Sequence, residues 1–238
     1  MKRFACMIAL IVFATFVAPA FRAGNMGLWP GIRTAAAEGE NGGTVAAATD
    51  AAKGDEKGAV AAIEKLHATI LDAMKRANQL KYDGRYALLE PVIDETFDLS
   101  FMAEKSAGKN WAAFTDEQKK RWTDTFARMT KANYAGRFDG YSNQRFETLG
   151  TEPAGFDTLL VRTRLLQPEK ADEDVEINYR LHRASSGWRI VDIYLSGTVS
   201  ELALRRAEYG SVFQRDGFDK MIAQLESKIA KLKSGASD

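Results

Sequence analysis

The stretch from Asp157 to Ser200 places the tightest limit on what this chain can fold into. It contains three runs, TLLVRTRLLQP, VEINYRLHR and WRIVDIYL, rich in Val, Ile, Leu and Tyr and interleaved with polar groups. A period of two sends alternate side chains to opposite faces of a strand. Leu159, Val161, Thr163 and Leu165 therefore share one face, and Arg162 and Arg164 the other. In the next run Val175, Ile177, Tyr179 and Leu181 oppose Glu176, Asn178, Arg180 and His182. Ser186-Gly187 makes a tight turn, so the second and third runs pair as a hairpin. Pro168 and the charged segment after it make a longer turn. Arg145–Glu152 adds a weaker first strand, closed by Pro153-Ala154-Gly155. The expectation is a strongly curved antiparallel sheet of four strands with one apolar face.

Helices account for the rest. Ile63, Leu66, His67, Ile70, Leu71 and Met74 recur at helical spacing from about Val60. Leu88, Leu89, Val92, Ile93, Phe97, Phe101 and Met102 form a wide stripe, in which Pro91 is expected to start or kink a helix. Asp98 offers a cap for a short helix that Gly108 ends. Thr115 and Gln118 form a capping box opening a long helix to about Phe138, with Trp122, Phe126, Met129 and Tyr134 near one face. After Ser200 two helices are expected, Glu201–Phe213 and Phe218–Leu232, separated at Asp216-Gly217. Leu202, Leu204 and Tyr209 are expected to supply the apolar surface of the first.

The N-terminus reads as a Sec-type export signal. Lys2 and Arg3 precede an apolar run, Phe4–Val17, followed by small residues. Ala18-Pro19-Ala20 and Ala35-Ala36-Ala37 both suit cleavage, and the choice between them stays open. The run is short for a bilayer span, which needs about 20 apolar residues, but extended through Phe21 it approaches that length, so an uncleaved membrane anchor is the less favoured alternative. The single cysteine, Cys6, lies inside this signal, so the remainder can form neither a disulfide nor a Cys-ligated metal site. Residues 38–59 are small, polar and Gly-rich and read as a flexible tether; the domain follows as 60–233, with 234–238 a tail.

The chemistry is defined mostly by what is missing. The chain carries a net charge of +1, which gives no support for nucleic-acid binding. No metalloprotease, P-loop, dinucleotide or nucleophile-elbow motif occurs. Two histidines, His67 and His182, lie too far apart in sequence for a local metal pair. No catalytic residue, metal ligand or cofactor is therefore expected. Asp192 stands out, because its strand neighbours are apolar or aromatic. A buried carboxylate is either a base with a raised pKa or, more commonly, a paired structural group. Three helices over one curved sheet leave room for an apolar cavity of ordinary ligand size.

An ordered set of residues resembles the MlaC family of periplasmic phospholipid-binding proteins, also known as the toluene-tolerance auxiliary component. The matching pieces are Phe97-Asp98 with Met102 and Gly108, Trp111 with Thr115 and Gln118, and Tyr134 with Tyr141. They continue with Val161, Tyr179-Arg180, the run Trp188 to Ile193, Ser200, Arg206, Tyr209, and Asp216-Gly217 with Ile222 and Leu225. Glu201 departs from the family, which tends to have Leu there. The long front end, with Trp29-Pro30-Gly31, is more similar to the hopanoid-associated HpnM branch.

The resemblance implies an α+β fold, a cone like that of nuclear transport factor 2. It also implies a lipid carrier moving phospholipid across the periplasm between an outer-membrane lipoprotein complex and an inner-membrane ABC transporter complex. The pocket wall is then expected from Leu89, Val92, Ile93, Phe97, Phe101, Phe126, Met129 and Tyr134 on the helices and Val161, Val175, Ile177, Tyr179 and Ile190 on the sheet. Other readings are a carrier of a hopanoid or another apolar small molecule, a cone-fold isomerase or dehydratase using Asp192 or Tyr179, and an envelope adaptor that binds only proteins.

Overall fold

A computed structural model describes residues 44–169 and 171–235, with side chains from Glu56 onward. The signal, both cleavage sites and Cys6 lie outside the described residues, as do residues 38–43 of the tether and 236–238 of the tail. The fold is α+β, as expected. Five strands form one open meander in the order β1-β2-β3-β4-β5, every neighbouring pair antiparallel: β1 (Arg145–Ala154), β2 (Thr158–Leu166), β3 (Val175–Ala184), β4 (Gly187–Leu195) and β5 (Val199–Ser200).

The fifth strand corrects the expected count of four. Two residues pair Leu195 and Tyr194 with Val199 and Ser200, because Ser196 at φ 50° and Gly197 at φ 77° turn the chain back sharply. Strand parity follows the sequence: in β2 Leu159, Val161, Thr163 and Leu165 are buried while Arg162 and Arg164 are exposed. In β4 the alternation fails. A register shift pairs Arg180 with Asp192 but Leu181 with Ile190, leaving Val191 as the extra residue of a bulge. Ile190 through Ile193 are consequently all buried. Pro153, expected in a turn, lies inside β1, whose outer edge has no neighbouring strand, so its missing N–H costs no ladder bond there.

Among the described residues five α-helices accompany this sheet: α1 (Thr44–Lys75), α2 (Ala77–Thr96), α3 (Leu99–Ala107), α4 (Asp116–Arg137) and α5 (Glu201–Ser234). Helix α1 begins at Thr44, so much of the stretch read as tether is helical. Its many alanines carry the best helix propensity, which outweighs Gly54 and Gly58. Ala59 is already fully buried, and Glu56 accepts a hydrogen bond from Thr151. Helix α2 runs through Pro91 instead of starting or breaking there. Pro91 is exposed and so is Ala87, whose carbonyl loses its intrahelical partner but faces water. The break falls at Lys81, with φ 54° and ψ −166°.

The caps were readable. Asp98 accepts from Phe101 N–H at 2.9 Å, and Thr115 and Gln118 complete their capping box. Ser200 accepts from Ala203 N–H. Helix α5 interrupts its helical geometry at Gly217, at the expected junction. Its buried face differs in part from expectation: Tyr209 is buried and Leu202 packs against the core, but Leu204 is 42% exposed, and Glu201, Arg205, Val212 and Phe213 also turn inward. Among the described residues no helix is long and apolar enough to cross a membrane.

Candidate functional site

The inner face of the sheet and the helices that cover it share one apolar cluster. Ten residues expected to wall a pocket lie inside it: Leu89, Val92, Ile93, Phe97, Phe126, Met129, Val161, Ile177, Tyr179 and Ile190. Tyr134 and Val175 are partly buried and pack against it. Phe101 is placed elsewhere. Its ring lies 5.4 Å from that of His182 and 5.1 Å from Lys105 Nζ, on the outer side of α3. The stripe that joined Phe97 to Phe101 crosses the non-helical corner between α2 and α3, which turns the second ring away.

Several elements converge to make this layer. Phe97 closes α2 and bridges to Ile190 of β4, while Asp98 N–H donates to the Ile190 carbonyl at 2.9 Å. That contact ties the α2–α3 corner to the sheet. Phe97 and Tyr134 of α4 meet edge to face at 5.7 Å, a favoured aromatic geometry. Trp122 donates its indole N–H to the Ala103 carbonyl at 2.8 Å and packs on Tyr209, joining α4 to α3 and α5.

Two of the polar clusters set within this apolar layer bear on its chemistry. At the first, His67 of α1 stacks on Phe146 at 3.8 Å and hydrogen-bonds the Tyr179 hydroxyl at 3.0 Å. Burial lowers the His67 pKa to about 3, so the ring is neutral near pH 7. Burial also raises Tyr179, with a further push from Glu201.

The second place was not foreseen. Glu201 and Arg205, one helical turn apart on α5, are 9% and 5% exposed and form an ion pair. A second guanidinium nitrogen of Arg205 donates to Thr130 at 3.3 Å, and its carbon lies 5.5 Å from the Phe126 ring centre. Burial alone lowers the Arg205 pKa, but Glu201 together with Tyr209 and Tyr134 offsets it and the net shift is upward. The i, i+4, i+8 spacing of Glu201, Arg205 and Tyr209 was the available signal. It was masked by the leucines beside it.

Asp192 is fully engaged. One carboxylate oxygen accepts from the N–H groups of Ile193 and Leu202, and the other from Ser200 Oγ at 2.6 Å. Burial raises its pKa against these hydrogen bonds, which lower it. It joins β4, β5 and the start of α5. The nearby strand arginines donate elsewhere: Arg180 to Thr158 and the Gly155 carbonyl, Arg189 to the carbonyls of Asp94 and Glu95. His182 hydrogen-bonds Asp98 at 2.9 Å.

Among the described residues two open grooves lie at the edge of the cluster, outside the expected wall. One, of about 720 Å³, runs between the end of α3 and α5 and is lined by Gly108, Lys109, Arg206 and Gly210 among others. The second, about 700 Å³, separates α4 from α5 and is bordered by the ion pairs Lys120–Asp124 and Arg128–Glu226. Neither contains a residue of the expected wall.

The MlaC protein family matches residues 64–227. This chain belongs to that family. The fold is shared with a solved phospholipid-binding protein from Ralstonia solanacearum, captured in complex with a phospholipid. The two are 22% identical with a TM-score of 0.62, over 75% of this chain and 98% of the other. No curated protein matches the chain.

Proposed function

We propose that this protein is a periplasmic phospholipid carrier. In this reading the acyl chains lie among the residues of the central cluster, between the inner face of the sheet and α2 and α4. The protein exchanges its cargo with an outer-membrane lipoprotein complex and an inner-membrane ABC transporter complex. One observation carries the reading: membership of the MlaC family across the domain, on a fold that holds a phospholipid in a relative. The physical warrant is the transfer energy. Each buried CH₂ group gains about 0.8 kcal/mol, so two acyl chains supply enough to open a well-packed apolar layer and no covalent step is needed.

A transfer assay tests this. Donor vesicles carry a fluorescent phospholipid and acceptor vesicles none. The full-length chain is expected to speed transfer at least tenfold over spontaneous exchange. Transfer at the spontaneous rate, with no fluorescent lipid on the recovered protein, would contradict the proposal.

A further inference from the structure

We propose that the Arg205–Glu201 pair is a recognition point for the phosphodiester of the cargo lipid. The inference rests on the carrier reading and goes further, since it names the group that is read and the residue that reads it.

An ion pair inside an apolar layer is a poor way to stabilise a fold. Desolvation of two charges commonly outweighs their attraction, and apolar side chains of similar volume do as well or better. This pair is also incomplete. Arg205 spends one guanidinium nitrogen on Glu201 and another on Thr130, but its buried Nε has no hydrogen-bond partner. A buried donor without an acceptor costs the whole desolvation of that group. An oxygen acceptor beside Nε would remove that cost.

The surroundings specify the acceptor. Phe126 lies against the guanidinium, and Phe126, Tyr134 and Tyr179 all belong to the expected wall. Tyr134 and Arg137 are only partly buried, so the pair sits about one side chain below the surface. Arg137 is within electrostatic reach of both Glu201 and Arg205. Asp192 is also within electrostatic reach of Glu201, so the acceptor is specified by the unfilled Nε donor rather than by an excess of charge. Arginine presents planar N–H groups that match a phosphate. Phosphate oxyanions come either from a lipid headgroup or from free phosphate. Phe126, Tyr134 and Tyr179 lie near the pair and favour the lipid, whose chains the carrier reading places in the cluster beside it.

Lipid uptake by the full-length chain tests the proposal. Dioleoylphosphatidylglycerol and dioleoylglycerol share their acyl chains and differ in the phosphodiester. The wild type is expected to take up the phospholipid at least tenfold better. Arg205→Met should bring phospholipid uptake down to the diacylglycerol level, and Glu201→Gln, which removes the competing carboxylate, should keep or increase it. Should Arg205→Met fail to fold, the double variant Glu201→Leu/Arg205→Met removes the pair as a unit and gives the same readout. A preference that persists without Arg205 overturns this inference and leaves the carrier reading intact. Displacement of bound phospholipid by inorganic phosphate at equal concentration assigns the site to the free anion and overturns it too. A wild type that takes up neither lipid defeats the carrier reading itself.

Discussion

His67 is a residue whose chemistry burial changes strongly. Its pKa is about 3 in the folded chain against an ordinary value near 6.5. The unfolded chain therefore binds a proton in this window that the folded chain refuses. Stability from the neutral ring is fully present above about pH 6.5 and declines as pH falls toward 3, by up to about 1.4 kcal/mol per unit. Lowering the pH from 6.5 to 5 should cost about 2 kcal/mol from this residue. In His67→Phe the loss should flatten, although the orphaned Tyr179 hydroxyl lowers stability at every pH by about 1–3 kcal/mol. Urea unfolding at pH 7 and pH 5 measures both, and an unchanged acid slope in the variant would contradict the assignment. The burial of His67 was legible, because it recurs in phase with Ile63, Leu66 and Ile70. Its partners were not. Tyr179 and Phe146 come from strands far along the chain, and only the folded sheet brings them to α1. Asp192 repeats the pattern: its apolar neighbours announced burial, while the return at Ser196-Gly197 that delivers Ser200 had no clear signal.

At the scale of elements, two helices contain a residue in a backbone region that is essentially reserved for glycine. Gly217 adopts φ 81° and ψ 177° within α5, and Lys81 adopts φ 54° and ψ −166° within α2. Such conformations cost a non-glycine residue on the order of 1–3 kcal/mol. Lys81→Gly is therefore expected to raise stability by about 1 kcal/mol, and Gly217→Ala to lower it by about 1–3 kcal/mol. Denaturant midpoints at an unchanged slope report both changes. A neutral or destabilising Lys81→Gly would refute the strain at that corner. Gly217 was visible as an Asp-Gly break, whereas nothing in a lysine announces a positive φ. Pro91 shows the opposite failure, since the solvent exposure of its turn, which makes it tolerable, is a tertiary property. The strands of the central stretch were the most readable elements because one buried face enforces a period of two. Reading failed at β4, where the bulge at Val191 inserts one residue into that period.

For the whole molecule, ten of the residues expected at a pocket wall lie in the buried apolar cluster between helices and sheet. Phe101 lies outside that cluster, because helical phase does not carry across the α2–α3 corner. The charged pair within the layer was missed, since i, i+4 charges on a helix ordinarily mark a solvated face. That pair separates a core that merely holds the fold from one that also reads a polar headgroup. The measurement that tests the carrier account most directly is native mass spectrometry of the full-length chain, followed by solvent extraction of what it holds. The account predicts co-purifying phospholipid at about one molecule per chain, in keeping with a site that encloses most of its ligand. A chain that emerges empty, and remains empty after incubation with phospholipid vesicles, would contradict it.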